Sequence, residues 1–168
     1  MNKKMVIRNG LFAKYDNFEL ELAESRSEVP IPDEEKTFSL WYHNLKDCPF
    51  KDFKKCEFGN GFYKTVLIDQ IEKPFLVLTY GKYKKLKIEV FKGKEHKIQI
   101  ASRSELIAGE LDMIKCREDW YTKDVEIRDI DLIWEEKFEI KKSKTIYGDI
   151  LQLKDLWKEK IGQMKIEK

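Results

Sequence analysis

Residues 86–100 read Leu-Lys-Ile-Glu-Val-Phe-Lys-Gly-Lys-Glu-His-Lys-Ile-Gln-Ile. Apolar and polar residues alternate on both sides of the glycine, and this period of two places one face of a strand against a core. Gly93 can adopt the positive φ that compact hairpin turns need. We therefore expect antiparallel strands over residues 86–91 and 96–101, and a fold that is predominantly β.

Other segments show the same pattern. Alternation recurs in residues 18–22 and 38–42 and, with a bulge or register change, between residues 125 and 140. The apolar run over residues 75–78 is typical of a buried strand. These segments predict at least eight strands.

Near the C-terminus the period becomes that of a helix. Apolar residues follow Asp149, a suitable N-cap, at spacings of three and four, and Gly162 marks the end: Ile150, Leu153, Leu156, Trp157 and Ile161. We expect an amphipathic helix over about 149–162, and a shorter one over 103–108 opened by Ser102 or Ser104. The predicted fold class is α+β, predominantly β, with antiparallel sheets and a C-terminal helix.

The two halves of the chain resemble each other. Residues 61–66, Gly-Phe-Tyr-Lys-Thr-Val, recur as residues 119–125, Asp-Trp-Tyr-Thr-Lys-Asp-Val. Two more pairs follow in the same order: residues 18–22 with 86–90, and residues 38–40 with 98–100. These pairs predict a single domain, residues 1–168, with two related β repeats over about 5–72 and 75–140 that share one core. Chance coincidence of short strand-like strings is the alternative.

Composition bounds the function only broadly. The chain has 168 residues, with 33 Lys and Arg against 31 Asp and Glu, so net charge indicates no particular partner. Residues 1–10 lack an apolar run of signal length, and no run approaches the 18 residues of a membrane span. Three cysteines without a Cys-x-x-Cys pair fit a reducing compartment. We expect a cytoplasmic protein without a membrane partner; the oligomeric state stays open.

Motifs of catalysis are weak. His43 and His96 lie in no signature with a Ser or Cys nucleophile. A zinc site from His43, Cys48, Cys56 and Cys116 fits no common spacing, so we expect no metal and no cofactor. Asp129 and Asp131 would share a face of a strand and could act as an acid and base pair, which keeps a small hydrolase as a remote alternative. We expect no enzyme and no catalytic residue.

Charge is segregated along the chain. Residues 110–139 contain eleven acids and five bases, and residues 16–35 contain eight acids and one base. Such a surface would attract a basic partner. The predicted binding face has acids and candidate aromatic anchors: Asp119, Asp124, Glu126, Asp129, Asp131, Glu135, Glu136, Trp120, Tyr121 and Trp134. The alternative is an ordinary solvated surface.

A second cluster is basic. Lysines of the hairpin could hold phosphates and nearby aromatics could stack bases: Lys82, Lys84, Lys85, Lys87, Lys92, Lys94 and Lys97, with Tyr80, Tyr83 and Phe91. They make a nucleic-acid-associated module the alternative function. Against it, the aromatics should point inward, and lysines commonly protect an edge strand from aggregation.

At Phe62-Tyr63-Lys64-x-Val66, Tyr121-x-Lys123-x-Val125, Tyr80-Gly81-Lys82-Tyr83 and residues 125–140, the chain resembles small β-rich immunity proteins encoded beside bacterial secreted polymorphic toxins. The resemblance implies a non-enzymatic protein that binds one toxin domain tightly. It would block the toxin's active site or an adjacent surface.

Overall fold

The structure, a computed structural model, describes residues 6–24, 37–44 and 46–140, which form eleven strands and one short helix. The strands are β1 Gly10–Tyr15, β2 Phe18–Glu24, β3 Thr37–Tyr42, β4 Lys54–Lys55, β5 Phe62–Leu67, β6 Glu72–Tyr83, β7 Leu86–Lys92, β8 Lys97–Ser102, β9 Ile114–Arg117, β10 Trp120–Glu126 and β11 Leu132–Glu139. Helix α1 spans Glu105–Glu110. The prediction of a predominantly β chain is confirmed. The expected helix over 149–162 lies outside the described residues.

The described residues fall into two compact units. The first unit contains Gly10–Leu76 and residues 138–140, and the second contains residues 6–9 and Val77–Lys137. Strand β6 contributes residues 72–76 to the first unit and residues 77–83 to the second. The boundary therefore lies inside a strand, close to the midpoint between the two predicted repeats.

The two units have the same strand order. In the first unit the order is β4-β5-β3-β2-β1, with β6 next to β1. In the second it is β9-β10-β8-β7-β6, and β11 also pairs with β6. A 3-10 turn follows β5 at Ile68–Gln70 and β10 at Ile127–Asp129. When the strands of each unit are counted from β1 or from β6, the first three lie side by side in chain order. The fifth pairs with the third, and the short fourth strand lies at the edge beside the fifth.

The register also agrees between the units. Leu22 lies opposite Leu40 and Phe38 opposite Val66 in the first unit. The corresponding pairs of the second unit are Val90 with Ile100 and Ile98 with Val125. These are the positions that the sequence comparison aligned, so the two halves resemble each other in backbone pairing as well as in sequence.

Each unit has its own cluster of buried apolar residues, where the repeat hypothesis expected one shared core. In the first unit Leu40, which is 1% exposed, is covered by Phe50 and Phe53 from the segment that follows β3. In the second, Ile100, which is 0% exposed, is covered by Leu111 just after α1. Burial of each such side chain contributes about 1.5–3 kcal/mol.

A lysine ties the covering segment to the sheet in each unit. Lys64, opposite Leu40, donates to the hydroxyl oxygen of Tyr15 at 3.1 Å and to the Asp52 carboxylate. The Tyr15 hydroxyl donates to the same carboxylate at 2.8 Å. In the second unit Lys123, opposite Ile100, donates to the carbonyl oxygen of Leu111 at 2.8 Å. Only the first of these links contains a titrating carboxyl group.

The turn between β7 and β8 differs from the expectation. Glu95, at φ 55°, is the residue with left-handed backbone, and Gly93 does not have positive φ. Position 93 requires glycine for a different reason. A Cβ there would overlap the carbonyl oxygen of Lys97 and lie 2.8 Å from the Cα of Ile98. The glycine permits a close approach of two backbone segments.

Two other boundaries differ from the sequence prediction. Strand β10 ends at Glu126, so Ile127 begins the 3-10 turn and does not continue a strand. Helix α1 begins and ends two residues later than expected. Its N-cap is Ser104, one of the two predicted, whose hydroxyl oxygen accepts from the N–H of Ile107 at 3.4 Å.

We expect Gly93→Ala to lower the free energy of unfolding by about 1–3 kcal/mol, because the added methyl group meets backbone that cannot move independently of the hairpin. The matched control is Gly109→Ala in α1, where a Cβ meets nothing within 4 Å. There alanine should stabilise by about 0.5–1 kcal/mol. Urea denaturation measures both, and equal effects would contradict the geometry of the turn.

We expect Asp52→Asn to lower stability near neutral pH. Hydrogen bonds from Lys64 and Tyr15 hold the pKa of Asp52 below its ordinary value. The stabilisation is therefore complete above about pH 4, the ordinary carboxyl range, and is lost as pH falls through the lowered folded pKa. Denaturation curves of wild type and variant should differ at pH 7 and converge in acid. Asp47→Asn, an exposed acid of the same segment, is the control and should change little; an Asp52→Asn effect that persists in acid would refute the link.

Candidate functional site

Three of the seven predicted acids are held in ion pairs within the second unit. Glu135 accepts a bidentate pair from Arg8, with Nε to Oε1 at 2.9 Å and a terminal nitrogen to Oε2 at 2.8 Å. The side chains of Arg8 and Glu135 are 23% and 27% exposed. This bidentate ion pair is partly removed from solvent, so the Glu135 carboxylate is held in place by Arg8 and its charge is neutralised within the protein.

Glu136 pairs with a lysine of the predicted nucleic-acid patch. Lys87 Nζ donates to Glu136 Oε1 at 2.7 Å, and the Trp134 indole N–H donates to the same oxygen at 3.1 Å. The ammonium group lies 4.0 Å from the centroid of the Tyr80 ring and 5.6 Å from that of Trp134. Lys87, whose side chain is 35% exposed, thus contacts two aromatic rings and a carboxylate.

Asp119 and Trp120 share an arginine. Arg103 donates to the Asp119 carboxylate at 2.9 Å, and its guanidinium carbon lies 5.1 Å from the centroid of the Trp120 ring. Trp120 also makes an edge contact with Phe91, at 5.6 Å between centroids. Tyr121 lies on the other face of β10, with Lys115 Nζ 5.9 Å from its ring centroid.

The other four predicted acids face solvent. Asp124, Asp129 and Asp131 are exposed and Glu126 is half-buried, and no ion pair joins them to another residue of the described ranges. Arg128 is the one base between residues 124 and 131. The argument that placed Asp129 and Asp131 on one strand face is wrong, because Asp129 lies in the 3-10 turn and Asp131 precedes β11. We call residues 124–131 the acidic segment.

The seven predicted lysines divide between two turns. Lys82, Lys84, Lys85 and Lys87 lie at or beside the β6–β7 turn, whereas Lys92, Lys94 and Lys97 lie at the β7–β8 turn. These turns are at opposite ends of β7, separated by about 20 Å at the usual rise per residue. Lys82 lies directly opposite Lys87, whose charge Glu136 neutralises. The lysines therefore do not form one continuous patch.

The histidine and cysteines of the zinc hypothesis are dispersed. Cys48 and Cys56 are half-buried in the first unit, and Cys116 is exposed on β9 of the second. Cys116 Sγ lies 3.0 Å from the hydroxyl oxygen of Thr122. Among residues 6–24, 37–44 and 46–140, no three His, Cys, Asp or Glu side chains are grouped to hold a metal ion.

Sequence reasoning missed an aromatic row on the outer face of the first unit, the sheet face opposite its core. The Trp41 and His43 rings are parallel within 7° with centroids 6.0 Å apart, and Tyr63 lies 5.3 Å from Trp41 across the strands. Glu21, directly opposite Trp41, has Oε2 2.5 Å from His43 Nε2. The alternation that sends Phe38 and Leu40 inward already places Trp41 outward, so a signal was present.

The corresponding row of the second unit contains no aromatic residue and is buried. The register aligns Glu21, Trp41 and Tyr63 with Glu89, Ala101 and Thr122. The latter three are 7%, 0% and 9% exposed. In the first unit Trp41 and Tyr63 are only half-buried, and the side chains of Glu21 and His43 are 45% and 56% exposed. The open aromatic row thus belongs to one unit only.

The hairpin tip between β4 and β5 presents a bare apolar side chain. Phe58 is 99% exposed, against 7% for Phe50 in the preceding segment. At the base of the tip Gly61 has φ +139°, and a Cβ there would lie 2.6 Å from the carbonyl oxygen of Tyr42. Glycine is therefore required where the hairpin passes the end of β3.

Phe58→Ser should change the free energy of unfolding by less than about 0.5 kcal/mol, because the ring contacts solvent. Phe50→Ala, the matched variant in the preceding segment, should cost about 3–5 kcal/mol through loss of core packing. Urea denaturation of both variants checks the contrast. Comparable losses would show that Phe58 is packed.

No helix of the described ranges is long and apolar enough to cross a membrane. No curated protein and no solved structure matches the chain. One family model, described as uncharacterised conserved protein UCP033725, matches residues 7–142. That match includes all eleven strands of both units. The chain therefore belongs to the UCP033725 family.

Proposed function

We propose that the chain is a non-enzymatic binding protein that acts in the bacterial cytoplasm as an immunity protein. It recognises a basic protein, a toxin domain, and neutralises it by direct binding. The observation that supports this proposal is the division of the predicted acids. Some are neutralised by the chain's own bases, while those of the acidic segment form no ion pair within the described residues.

The difference between paired and unpaired acids matters for attraction at a distance. A carboxylate that is neutralised by an adjacent base contributes little to the electrostatic potential around the protein. Glu135, Glu136 and Asp119 are paired with Arg8, Lys87 and Arg103. The acidic segment keeps its charge, and its four acids outnumber the one arginine among them. Uncompensated charge of this kind steers a basic partner and raises its association rate.

The division of the acids into paired and unpaired ones also changes the role of the tryptophans that the sequence analysis proposed as anchors. Trp120 and Trp134 are half-buried, and each is held by a cation and a carboxylate of the chain itself. In the proposal, attraction comes from the acidic segment, and the ring faces that Arg103 and Lys87 cover are not contact surface.

Nucleic-acid binding remains the alternative, supported by the exposed Lys84 and Lys85 at one turn. The test that separates the two is capture from the producing cells at low ionic strength, followed by stepwise salt elution. A basic protein retained in stoichiometric amount supports the proposal. Nucleic acid alone in the eluate would replace it with the alternative.

We expect the double variant Asp129→Lys with Asp131→Lys to slow association with the captured protein by about tenfold or more at low salt. The dissociation rate should change little, and the salt dependence of association should become shallower. Stopped-flow mixing over a salt series measures these rates.

The matched control is Asp47→Lys with Glu57→Lys, which makes the same change in net charge at two exposed acids of the first unit. It should retain most of the wild-type rate. An unchanged rate in the Asp129 and Asp131 variant, or equal loss in both variants, would refute a role for the acidic segment.

A further inference from the structure

The three tryptophans among the described residues each lie beside a basic side chain and a carboxylate. Trp120 has Arg103 over its ring, and Arg103 pairs with Asp119. Trp134 has Lys87 near its ring, and Lys87 pairs with Glu136. In both cases the base carries a permanent charge, which is attracted to the negative face of the ring and to the carboxylate.

Trp41 repeats the arrangement with a different base. Its carboxylate is Glu21, and its base is His43, which lies parallel to the indole ring. His43 is 60 residues before Arg103, the same offset that separates β3 from β8. No lysine or arginine lies over the Trp41 ring in the part of the chain that the structure describes. The Trp41 ring therefore has a carboxylate beside it and no permanent cation over it, while Lys54 lies opposite Tyr63 at the far end of the same row.

The strand beside Trp41 also favours a cation. Strand β2 has Glu19, Glu21 and Glu24 and no base. At the aligned positions of β7 the second unit has Lys87, Glu89 and Lys92. The charge of this strand is thus reversed at two of three positions. Of the three acids, Glu21 lies opposite Trp41, Glu24 lies opposite Phe38 on the core face, and Glu19 lies opposite Lys14 of β1. The Glu21 carboxylate beside half-exposed rings complements a basic side chain and repels phosphate.

We infer that Trp41, Tyr63 and Glu21 form a docking site for an arginine or lysine side chain of a protein partner. The inference depends on the proposed function only for the basic character of that partner. Arginine suits the site best, since its planar guanidinium can lie on an aromatic ring and present two N–H groups to a carboxylate. The entering cation takes the place at Glu21 that His43 occupies in the free protein.

The test uses the full chain labelled with nitrogen-15, in which each tryptophan indole N–H gives its own NMR signal. The probe is the peptide acetyl-Arg-Arg-Arg-Arg-amide, titrated at low salt. The variants Trp41→Phe, Trp120→Phe and Trp134→Phe assign the signals. We expect a saturable shift of the Trp41 signal. The Trp120 and Trp134 signals should stay in place, because Arg103 and Lys87 already lie against those two rings.

Glu21→Gln should weaken peptide binding at Trp41 by about fivefold or more, because it removes the charge that pairs with the cation. Unchanged backbone amide signals of the first unit away from position 21 verify that the unit carrying this variant is folded. Asp124→Asn, the same chemical change on the second unit, is the matched control and should leave the Trp41 titration unaltered.

Three results would overturn the inference: no shift of the Trp41 signal, a shift that Glu21→Gln leaves equally strong, or a stronger response to the oligonucleotide (dT)8 than to the peptide. The outcomes for the two proposals are separable. Peptide binding at Trp41 with no basic protein captured from cells would refute the proposed function alone. Capture that depends on the acidic segment, with an unresponsive Trp41, would refute this inference alone.

Discussion

The antiparallel register within each unit is the constraint on which the rest of the structure depends. It places Leu22, Leu40, Phe38 and Val66 on one face of the sheet in the first unit. Because side chains alternate with a period of two, a slip of one residue would exchange the two faces. Trp41 would then enter the core and Leu40 would face solvent. The outward aromatic row is thus a consequence of how the core is specified.

Charge in this chain is balanced by specific contacts rather than by composition alone. Arg8, Lys87 and Arg103 each pair with an acid far away in sequence, and two of them also lie against a tryptophan ring. These pairs neutralise three of the seven acids that the sequence analysis assigned to a binding face. The predicted acids that form no ion pair within the described residues are those of the acidic segment. In the proposed function, attraction of a partner depends on the charges that the chain does not pair internally.

Much of the fold was predictable, because alternation reports which face of a strand is buried. It located β2, β3, β7 and β8 closely. The pairing of Arg8 with Glu135 was not predictable, since the two residues are 127 positions apart and nothing local connects them. Position 93 was misjudged for a related reason. Its need for glycine comes from Lys97 and Ile98 across the turn, whereas local propensity considers only φ.

Strand β6 serves both units, residues 72–76 as the last strand of the first and residues 77–83 as the first strand of the second. A chain divided between Leu76 and Val77 would leave each half with an incomplete strand and an open edge. Neither half could be inherited or exchanged as a separate module without first acquiring a new strand. Change in one half can instead proceed by side-chain replacement on a retained backbone. The contrast between an open row at Trp41 and a closed row at Ala101 is change of that kind.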